Sequence, residues 1–210
     1  MSFTRRGFLI GMPLLLAACT SSGSQTRGSF EPLLYAAIPD EAHPLPAIPL
    51  RAVPPELRRQ EVDFDGNYGA GTVVVNTPQR RLYLALGNGR AVRYGVGVGR
   101  EGLAFRGSAY IGRKAEWPRW TPTANMIRRD PDTNLPFANG VPGGINNPLG
   151  ARALYLYRNG NDTMFRIHGT NQPQSIGLAM SSGCIRMLNH DVIDLYDRVP
   201  TGARVVVIQA

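Results

Sequence analysis

The stretch "IHGTNQPQSIGLAMSSGCIRM", residues 167–187, contains one of the chain's two cysteines and one of its three histidines. His168 ends a β-type run, and Gly169 behind it permits a sharp turn that brings its carbonyl close to the imidazole. Cys184 follows "SSG", and a short helical turn is expected to begin there, with N–H groups that favour a thiolate. A thiol needs a base or positive electrostatics to react at neutral pH. The stretch predicts a Cys184 nucleophile served by His168 at the rim of a sheet.

Other roles for Cys184 are open on the residues alone. A disulfide could join it to Cys19, the other cysteine. A zinc site of His168, Cys184 and His190 lacks a recognisable ligand spacing and a fourth ligand, so we expect neither a metal nor a cofactor. His190 is the competing base, but the first turn of a polar helix predicts solvent exposure. Arg186 could hold a substrate carboxylate in bidentate fashion or pair with a nearby acid.

Short β-type runs surround this stretch: "TVVVN" (72–76), "RLYLAL" (81–86), "AVRYGVGV" (91–98), "ALYLYR" (153–158), "MFRIH" (164–168) and "RVVVI" (204–208). Turn signals between neighbouring runs predict hairpins. One helix is convincing, "HDVIDLYDRV" (190–199), with Asn189 as its cap and Pro200 behind it. These patterns predict a mostly β fold, a sandwich or barrel of mostly antiparallel strands with one or two short helices.

Residues 113–150 have no regular pattern and contain both tryptophans. A loop of this length in a compact domain is typical of a lid or a binding loop. Trp117, Trp120 and Phe137 could form apolar walls that keep water from a reactive intermediate. They could equally be packed under the loop.

The N-terminus predicts export. Residues 1–18 have a charged start with a twin-arginine-like pair, Arg5-Arg6, and an apolar run too short to span a bilayer as a helix. "LAAC" (16–19) resembles a bacterial lipobox, whose cysteine, here Cys19, would be lipidated; ordinary cleavage is the alternative. A lipidated Cys19 would leave Cys184 without a disulfide partner in the chain.

Residues 19–61 are poor in pattern and rich in proline, which predicts a flexible, extended tether between a membrane and a globular domain at 62–210. The net charge is +8. Such a basic chain suits an anionic polymer or lipid surface. No arginine cluster with interleaved aromatic residues follows a groove, so we expect no nucleic-acid partner.

The stretch 167–187 resembles the signature of bacterial L,D-transpeptidases with a YkuD-type catalytic domain, in which a His-Gly pair is followed by a Ser-x-Gly-Cys core. The resemblance extends from about Gly69 to Ile208 and includes "VVVNTPQRRLYL" (73–84), "WTPTANMIRRDP" (120–131) and "NNPLGARALYLY" (146–157). It implies a β-rich fold, a peptidoglycan substrate and no metal.

The resemblance also implies roles for single residues. Cys184 would be the nucleophile and His168 the general base and acid, oriented by the Gly169 carbonyl. Gly183 and Cys184 would donate backbone N–H groups to an oxyanion hole, and Arg186 would contact substrate. Many family members have a second histidine where this chain has Ser182, which leaves His168 as the plausible base. Ser182, Trp117 and Trp120 are further candidates for substrate contact.

The reaction that the resemblance implies begins with thiolate attack on the L,D-amide after the third, diamino-acid residue of a tetrapeptide stem, with release of D-alanine. The thioester would then pass to an amine on another stem or on an outer-membrane protein, while transfer to water would make the enzyme an L,D-carboxypeptidase. A sortase-like transpeptidase and a non-catalytic lipoprotein that binds cell wall are the remaining alternatives. The expected location is the periplasm of a Gram-negative bacterium, with a lipid anchor in the membrane, the outer one by preference.

Overall fold

The computed structural model describes residues 31–99, 105–181 and 183–209. These ranges contain eleven β-strands: β1 (Gln60–Asp63), β2 (Val73–Asn76), β3 (Arg81–Gly87), β4 (Arg90–Gly95), β5 (Val98–Gly99), β6 (Gly107–Glu116), β7 (Arg152–Arg158), β8 (Asn161–His168), β9 (Ala179–Ser181), β10 (Ile185–Arg186) and β11 (Arg204–Ile208). They also contain three α-helices: α1 (Ala124–Arg129), α2 (Pro131–Asn134) and α3 (Asn189–Arg198). The predicted export signal and Cys19 lie outside the described residues.

Nine of these strands form one sheet in the order β1-β4-β3-β2-β11-β6-β7-β8-β10. Most neighbours are antiparallel, but β11 pairs with β2 in parallel, and β10 with β8. β5 and β9 form a second, two-stranded sheet. The prediction of a mostly β fold with mostly antiparallel pairing and few short helices is confirmed.

The core lies between one face of the sheet and α3. Val192 and Leu195 of the helix are fully buried in the same apolar cluster as Leu154 of β7 and Ile167 of β8. Burying each such side chain stabilises the fold by about 1.5–3 kcal/mol. Because side chains alternate along a strand, His168 projects from the opposite face of the sheet, away from α3.

Residues 31–59, here called the strap, pack against the rest of the domain. They contain three 3₁₀ segments, Glu31–Tyr35, Leu50–Ala52 and Pro55–Leu57. Tyr35, Val53 and Leu57 are buried in a second apolar cluster with Ile176 and Leu188. The structure therefore differs from the expected flexible tether over this range, because apolar side chains between the prolines dock onto the domain.

Glu41 fastens the strap to the start of the long loop and to β7. Its carboxylate accepts hydrogen bonds from Arg152 Nη2 at 2.6 Å, Arg152 Nη1 at 3.0 Å and Trp117 Nε1 at 2.8 Å. The His43 ring packs edge-on against the Trp117 indole, with 4.8 Å between the centroids. The side chains of Arg152 and Glu41 are only 7% and 12% exposed, so the ion pair is largely shielded from water.

The strap also covers the first turn of α3. His190 is buried, and its Nε2 lies 2.9 Å from the Ala36 carbonyl oxygen. Arg59 forms an ion pair with Asp194 at 2.9 Å. The prediction that His190 is exposed to solvent is therefore wrong. The polar helix pattern indicated an exposed first turn, but the strap covers it.

The loop at 113–150 is more regular than its sequence suggests. β6 extends through Glu116, and α1, α2 and the 3₁₀ segment Leu135–Phe137 follow. Thr123 and Asp130 cap the two helices by accepting hydrogen bonds from backbone N–H groups in the first turns. In the part of the chain that the structure describes, no helix is long and apolar enough to cross a bilayer.

Candidate active site

His168 ends strand β8, and Cys184 stands directly before the neighbouring strand β10. The strands pair in parallel with Arg186 opposite His168. Cys184 directly precedes β10, and the backbone N–H of Arg166 donates a hydrogen bond to its sulfur. Arg166 and His168 share one face of β8, so the thiol and the imidazole are diagonal neighbours on the same face of the sheet.

A backbone carbonyl fixes the orientation and tautomer of His168. Its Nδ1 lies 2.6 Å from the carbonyl oxygen of Gly169, and the ring is buried. A carbonyl oxygen can only accept a hydrogen bond, so Nδ1 carries the proton. In the neutral imidazole Nε2 is then unprotonated and can act as a base.

Burial keeps both reacting groups neutral at rest. It lowers the pKa of His168 to about 4; the Gly169 hydrogen bond opposes this shift, and the charges of Arg186 and Arg166 add to it. Burial also raises the pKa of the Cys184 thiol, against the lowering effect of the Arg166 N–H group and of the two guanidinium charges. The resting pair is therefore a thiol and a neutral imidazole.

The expected helical turn at Cys184 is absent from the described residues. Cys184 is followed by strand β10, and α3 begins only at Asn189. Helix N–H groups therefore do not stabilise a thiolate at this position. The reason is the pairing of β10 with β8, which holds the two residues after Cys184 extended.

Asn189, predicted as a helix cap, has a different role. Its Oδ1 accepts hydrogen bonds from the backbone N–H groups of Ala151 at 3.0 Å and Thr170 at 3.2 Å. Its Nδ2 donates to the Thr170 carbonyl at 3.1 Å. It thereby holds the segment that presents the Gly169 carbonyl to His168. A Cβ on Gly169 would lie 2.2 Å from Asn189 Oδ1, so only glycine fits beside this amide.

Gly183 is buried and has a φ of 129°, in the region that favours glycine. Gly99 of β5 packs against it, since a Cβ on Gly99 would stand 2.7 Å from the Gly183 Cα atom. The turn that precedes Cys184 is thus supported by the small second sheet. Ser182 lies outside the described residues.

Arg186 is half-buried beside the pair. Its Nη1 donates to Gln172 Oε1 at 3.2 Å, and its backbone exchanges hydrogen bonds with Gly97 at 2.8 and 2.9 Å. Burial lowers the pKa of Arg186, and the charge of Cys184 acts in the opposite direction. Within the described ranges it makes no ion pair with a carboxylate, so its charge is available to an anionic group near Cys184.

The tryptophans of the long loop make their contacts elsewhere. The hydrogen bond and the ring contact of Trp117 are both with the strap. These contacts favour a packing role for Trp117 and not the alternative of an apolar wall of the site. Trp120 exchanges backbone hydrogen bonds with Val141, and its ring lies 6.1 Å from that of Phe137. In the described chain, no group of three or more His, Cys, Asp or Glu side chains could hold a metal ion.

Sequence reasoning missed three contributors to the site. Arg166 donates its backbone N–H to Cys184, Asn189 holds the Gly169 segment, and Glu41 fastens the strap. No local pattern signals the first two, because each acts on a residue distant in sequence. Glu41 could have been noticed in the sequence as an acidic residue within a proline-rich segment.

Comparison with known proteins gives a family for most of the chain. Residues 70–207 match the family model of the L,D-transpeptidase catalytic domain. The chain is 37% identical over 139 residues to the probable L,D-transpeptidase ErfK/SrfK of Escherichia coli strain K12, a match that covers 65% of this chain and 43% of that protein. It is 36% identical over 136 residues to the probable L,D-transpeptidase YbiS of the same strain, with 63% and 43% covered. The chain thus spans less than half the length of these relatives.

Among solved structures, the chain is 52% identical to a Brucella melitensis protein named a probable carnitine operon oxidoreductase, with a TM-score of 0.51. The match covers 75% of this chain and 97% of that chain. That name gives a different activity, whereas the family model and both curated relatives agree with each other.

Proposed function

Because the chain belongs to the family of L,D-transpeptidase catalytic domains, we propose that it is a peptidoglycan L,D-transpeptidase that depends on Cys184. The observation that carries the proposal is the placement of Cys184, directly before β10, on the diagonal from His168 of the paired strand β8. The 2.6 Å contact between His168 Nδ1 and the Gly169 carbonyl supports it, because this contact leaves Nε2 as the base.

Acylation would start from the neutral pair. As the Cys184 sulfur attacks the carbonyl carbon of the L,D-amide, its proton passes to His168 Nε2. The oxyanion that forms would accept hydrogen bonds from backbone N–H groups at Gly183 and Cys184. When the tetrahedral intermediate collapses, the C–N bond breaks and His168 gives its proton to the amine of the departing D-alanine. The product is a thioester on Cys184.

Deacylation would use the same groups in reverse. His168 takes a proton from the acceptor amine as its nitrogen attacks the thioester, and the proton returns to the Cys184 sulfur when the C–S bond breaks. An amine on a second stem gives a cross-link, and an amine on an outer-membrane protein gives attachment to the wall. Water as the acceptor gives carboxypeptidase activity. Arg186, with its open charge, would bind a carboxylate of the donor.

The test uses purified protein and tetrapeptide stems. The unsubstituted chain should release D-alanine and show an acyl adduct by intact mass, and Cys184→Ala and His168→Gln should each lose at least about 100-fold in rate. Cys19→Ser removes the chain's other thiol and serves as the matched control with full activity. Release of D-alanine by Cys184→Ala at the unsubstituted rate would contradict the proposal.

Experiments with the same purified protein distinguish two rival functions from the proposed one. A sortase-like enzyme would form its thioester with a protein sorting signal and not with a stem. A non-catalytic wall-binding protein would still bind purified sacculi after alkylation of Cys184 and would yield no product with any donor. The family match favours neither rival.

We also propose that residues 1–18 direct export to the periplasm and that Cys19 becomes a lipid-bearing N-terminus. The twin-arginine-like start and the "LAAC" sequence support this. Intact-mass analysis of the membrane fraction should find a diacylated chain beginning at Cys19. An unmodified chain that begins elsewhere would contradict the anchor but not the activity.

A further inference from the structure

A row of side chains crosses three strands, β6, β7 and β8, on the face of the sheet that carries Cys184. Strand pairing places Arg113 of β6 opposite Tyr155 of β7, and Tyr155 opposite Arg166 of β8. The parallel register of β8 and β10 continues the row from Arg166 to Cys184. We call Arg113, Tyr155 and Arg166 the arginine row.

The two guanidinium groups of the row stack on one ring. Arg113 Cζ lies 3.5 Å from the centroid of Tyr155, and Arg166 Cζ lies 4.4 Å from it. Tyr155 is only 6% exposed although it is on the face opposite the core. The ring thus fixes two planar cations beside one another through the attraction between a guanidinium and an aromatic face.

The charge of the row is only partly balanced. Asp162 accepts two hydrogen bonds from Arg166, at 2.8 and 3.0 Å, in a bidentate pair. Arg113 is exposed, and within the described ranges it forms no ion pair. One guanidinium fork is therefore open to solvent at the end of a row that begins at the nucleophile.

We propose that the arginine row is a carboxylate-binding subsite for the donor peptide. The inference rests on the proposed function. Neighbouring strands lie about 4.8 Å apart, so Tyr155 stands about 10 Å from Cys184. Two or three residues of extended peptide, at about 3.4 Å each, cover that distance. The planar fork of Arg113 matches a carboxylate better than a point charge does.

Binding tests this without turnover. Two tetrapeptide stems would be used, one with a free carboxylate on its second residue and one with a primary amide there. In the Cys184→Ala protein, calorimetry should find the acidic peptide bound about fivefold more tightly than the amide. Adding Arg113→Gln should abolish this preference, and Arg113→Lys should keep part of it. Adding Arg80→Gln, an exposed arginine in the β2–β3 turn, should leave the preference intact.

Kinetics separates binding from chemistry. Arg113→Gln should raise KM for the acidic peptide about fivefold and leave kcat and the acid limb of the pH profile unchanged. Arg166→Gln should raise KM as well, and it should also move the acid limb upward, because the charge of Arg166 lowers the pKa of His168.

Several results would overturn the subsite: no preference for the acidic peptide, a preference that survives Arg113→Gln, or an equal loss of both peptides in that variant. The proposed function fails separately. If the unsubstituted protein forms no thioester with either stem while the preference persists in Cys184→Ala, the subsite stands and the transpeptidase assignment does not.

Discussion

At the scale of single residues, the surroundings of Cys184 and His168 keep both side chains uncharged at rest. Burial is the largest cause of both shifts: it lowers the pKa of His168 and raises that of Cys184. In the proposed mechanism the proton therefore moves during attack, and the hydrogen bond of Nδ1 to the Gly169 carbonyl leaves Nε2 to receive it. Such a thiol is less exposed to adventitious oxidation than a resting thiolate.

A neutral resting pair predicts slow alkylation at neutral pH. The rate of Cys184 modification by iodoacetamide should rise only in the alkaline range, because burial raises the pKa of the thiol. In His168→Gln the alkaline limb should stay in place. Fast alkylation near pH 6 that vanishes in His168→Gln would instead indicate a thiolate–imidazolium pair.

The pKa of His168 sets the acid side of catalysis. Because the proposed mechanism needs an unprotonated His168 in the free enzyme, kcat/KM should fall as the pH drops through about 4, the folded pKa of that imidazole. The measurement is the pH profile of D-alanine release at low substrate concentration. An acid limb close to the ordinary histidine pKa would contradict the buried, neutral base.

Asn189 predicts a defect in chemistry as well as in stability. Asn189→Ala removes three hydrogen bonds around Thr170 and Ala151. We expect kcat to fall about 10- to 100-fold, since misplacing a catalytic group by a fraction of an ångström is costly. Asn189→Asp keeps both acceptor bonds and should recover part of kcat. Asn161→Ala, at the exposed start of β8, is the matched control; a kcat for Asn189→Ala equal to that control would exclude a positioning role.

Part of this residue-scale picture could be read from the sequence. The types and spacing of His168, Gly169 and Cys184 carry their expected chemistry. The role of Asn189 could not be read there, because its hydrogen-bond partners, Thr170 and Ala151, lie 19 and 38 positions earlier in the chain. His190 was misjudged for the same reason, since its cover comes from the strap.

At the scale of elements, the strap is the part that the sequence misrepresents. Its prolines indicate an extended chain, and the segment is extended in part, but its apolar side chains alternate with the prolines and find a docking surface at Ile176 and Leu188. Both of those residues flank Cys184 in the sequence, Ile176 before it and Leu188 after it. The strap therefore packs against both ends of the segment that carries Cys184.

The buried Glu41–Arg152 pair predicts a large effect on stability. Glu41→Gln leaves a guanidinium that is 7% exposed beside an uncharged amide, with only the distant, exposed Glu116 carboxylate at 3.8 Å. We expect a loss of about 2–4 kcal/mol in the free energy of unfolding, measured with urea. Glu61→Gln, which breaks the exposed pair with Arg90, should have a much smaller effect. Equal losses would show that shielding from water does not matter here.

Strands with clean alternation were predictable, and β11 has the predicted bounds, Arg204–Ile208. β6 was not, because a register shift between Ile111 and Arg113 breaks its alternation. Gly112 fits there because a Cβ would meet the Tyr157 ring at 2.3 Å. The helices of the long loop had usable signals in Thr123 and in Asp130 before Pro131, but both helices are too short for a periodic pattern.

At the scale of the whole molecule, a buried carboxyl lies where the strap meets α3. Burial raises the pKa of Asp191 to about 7; the nearby charge of Asp194 adds to the shift, and Arg59 opposes it. The hydroxyl of Tyr35 in the strap donates a hydrogen bond to Asp191 Oδ2 at 3.4 Å. Among the described residues, Asp191 Oδ1 has no hydrogen-bond partner. The protonated form is therefore favoured in the folded protein.

This carboxyl predicts a pH-dependent stability. The folded pKa of Asp191 is raised above its ordinary value. The stability that this carboxyl contributes is therefore fully present below pH 3.8 and is lost as the pH rises through about 7. Asp191→Asn should therefore raise the urea midpoint more at about pH 8 than at about pH 5. The control is Asp63→Asn on exposed β1, whose effect should not grow with pH. A gain that is equal at both pH values would contradict a raised pKa for Asp191.

The docking of the strap also constrains the order in which the molecule can be completed. Tyr35 and Asp191 are 156 positions apart, so a segment that is synthesised early contacts one that is synthesised much later. Until the final third of the chain has been synthesised, the apolar side of the strap has nothing to cover it, and closing so long a loop is slow. A nascent or truncated chain would therefore expose the apolar side of the strap. Chaperones and proteases would bind this protein there first.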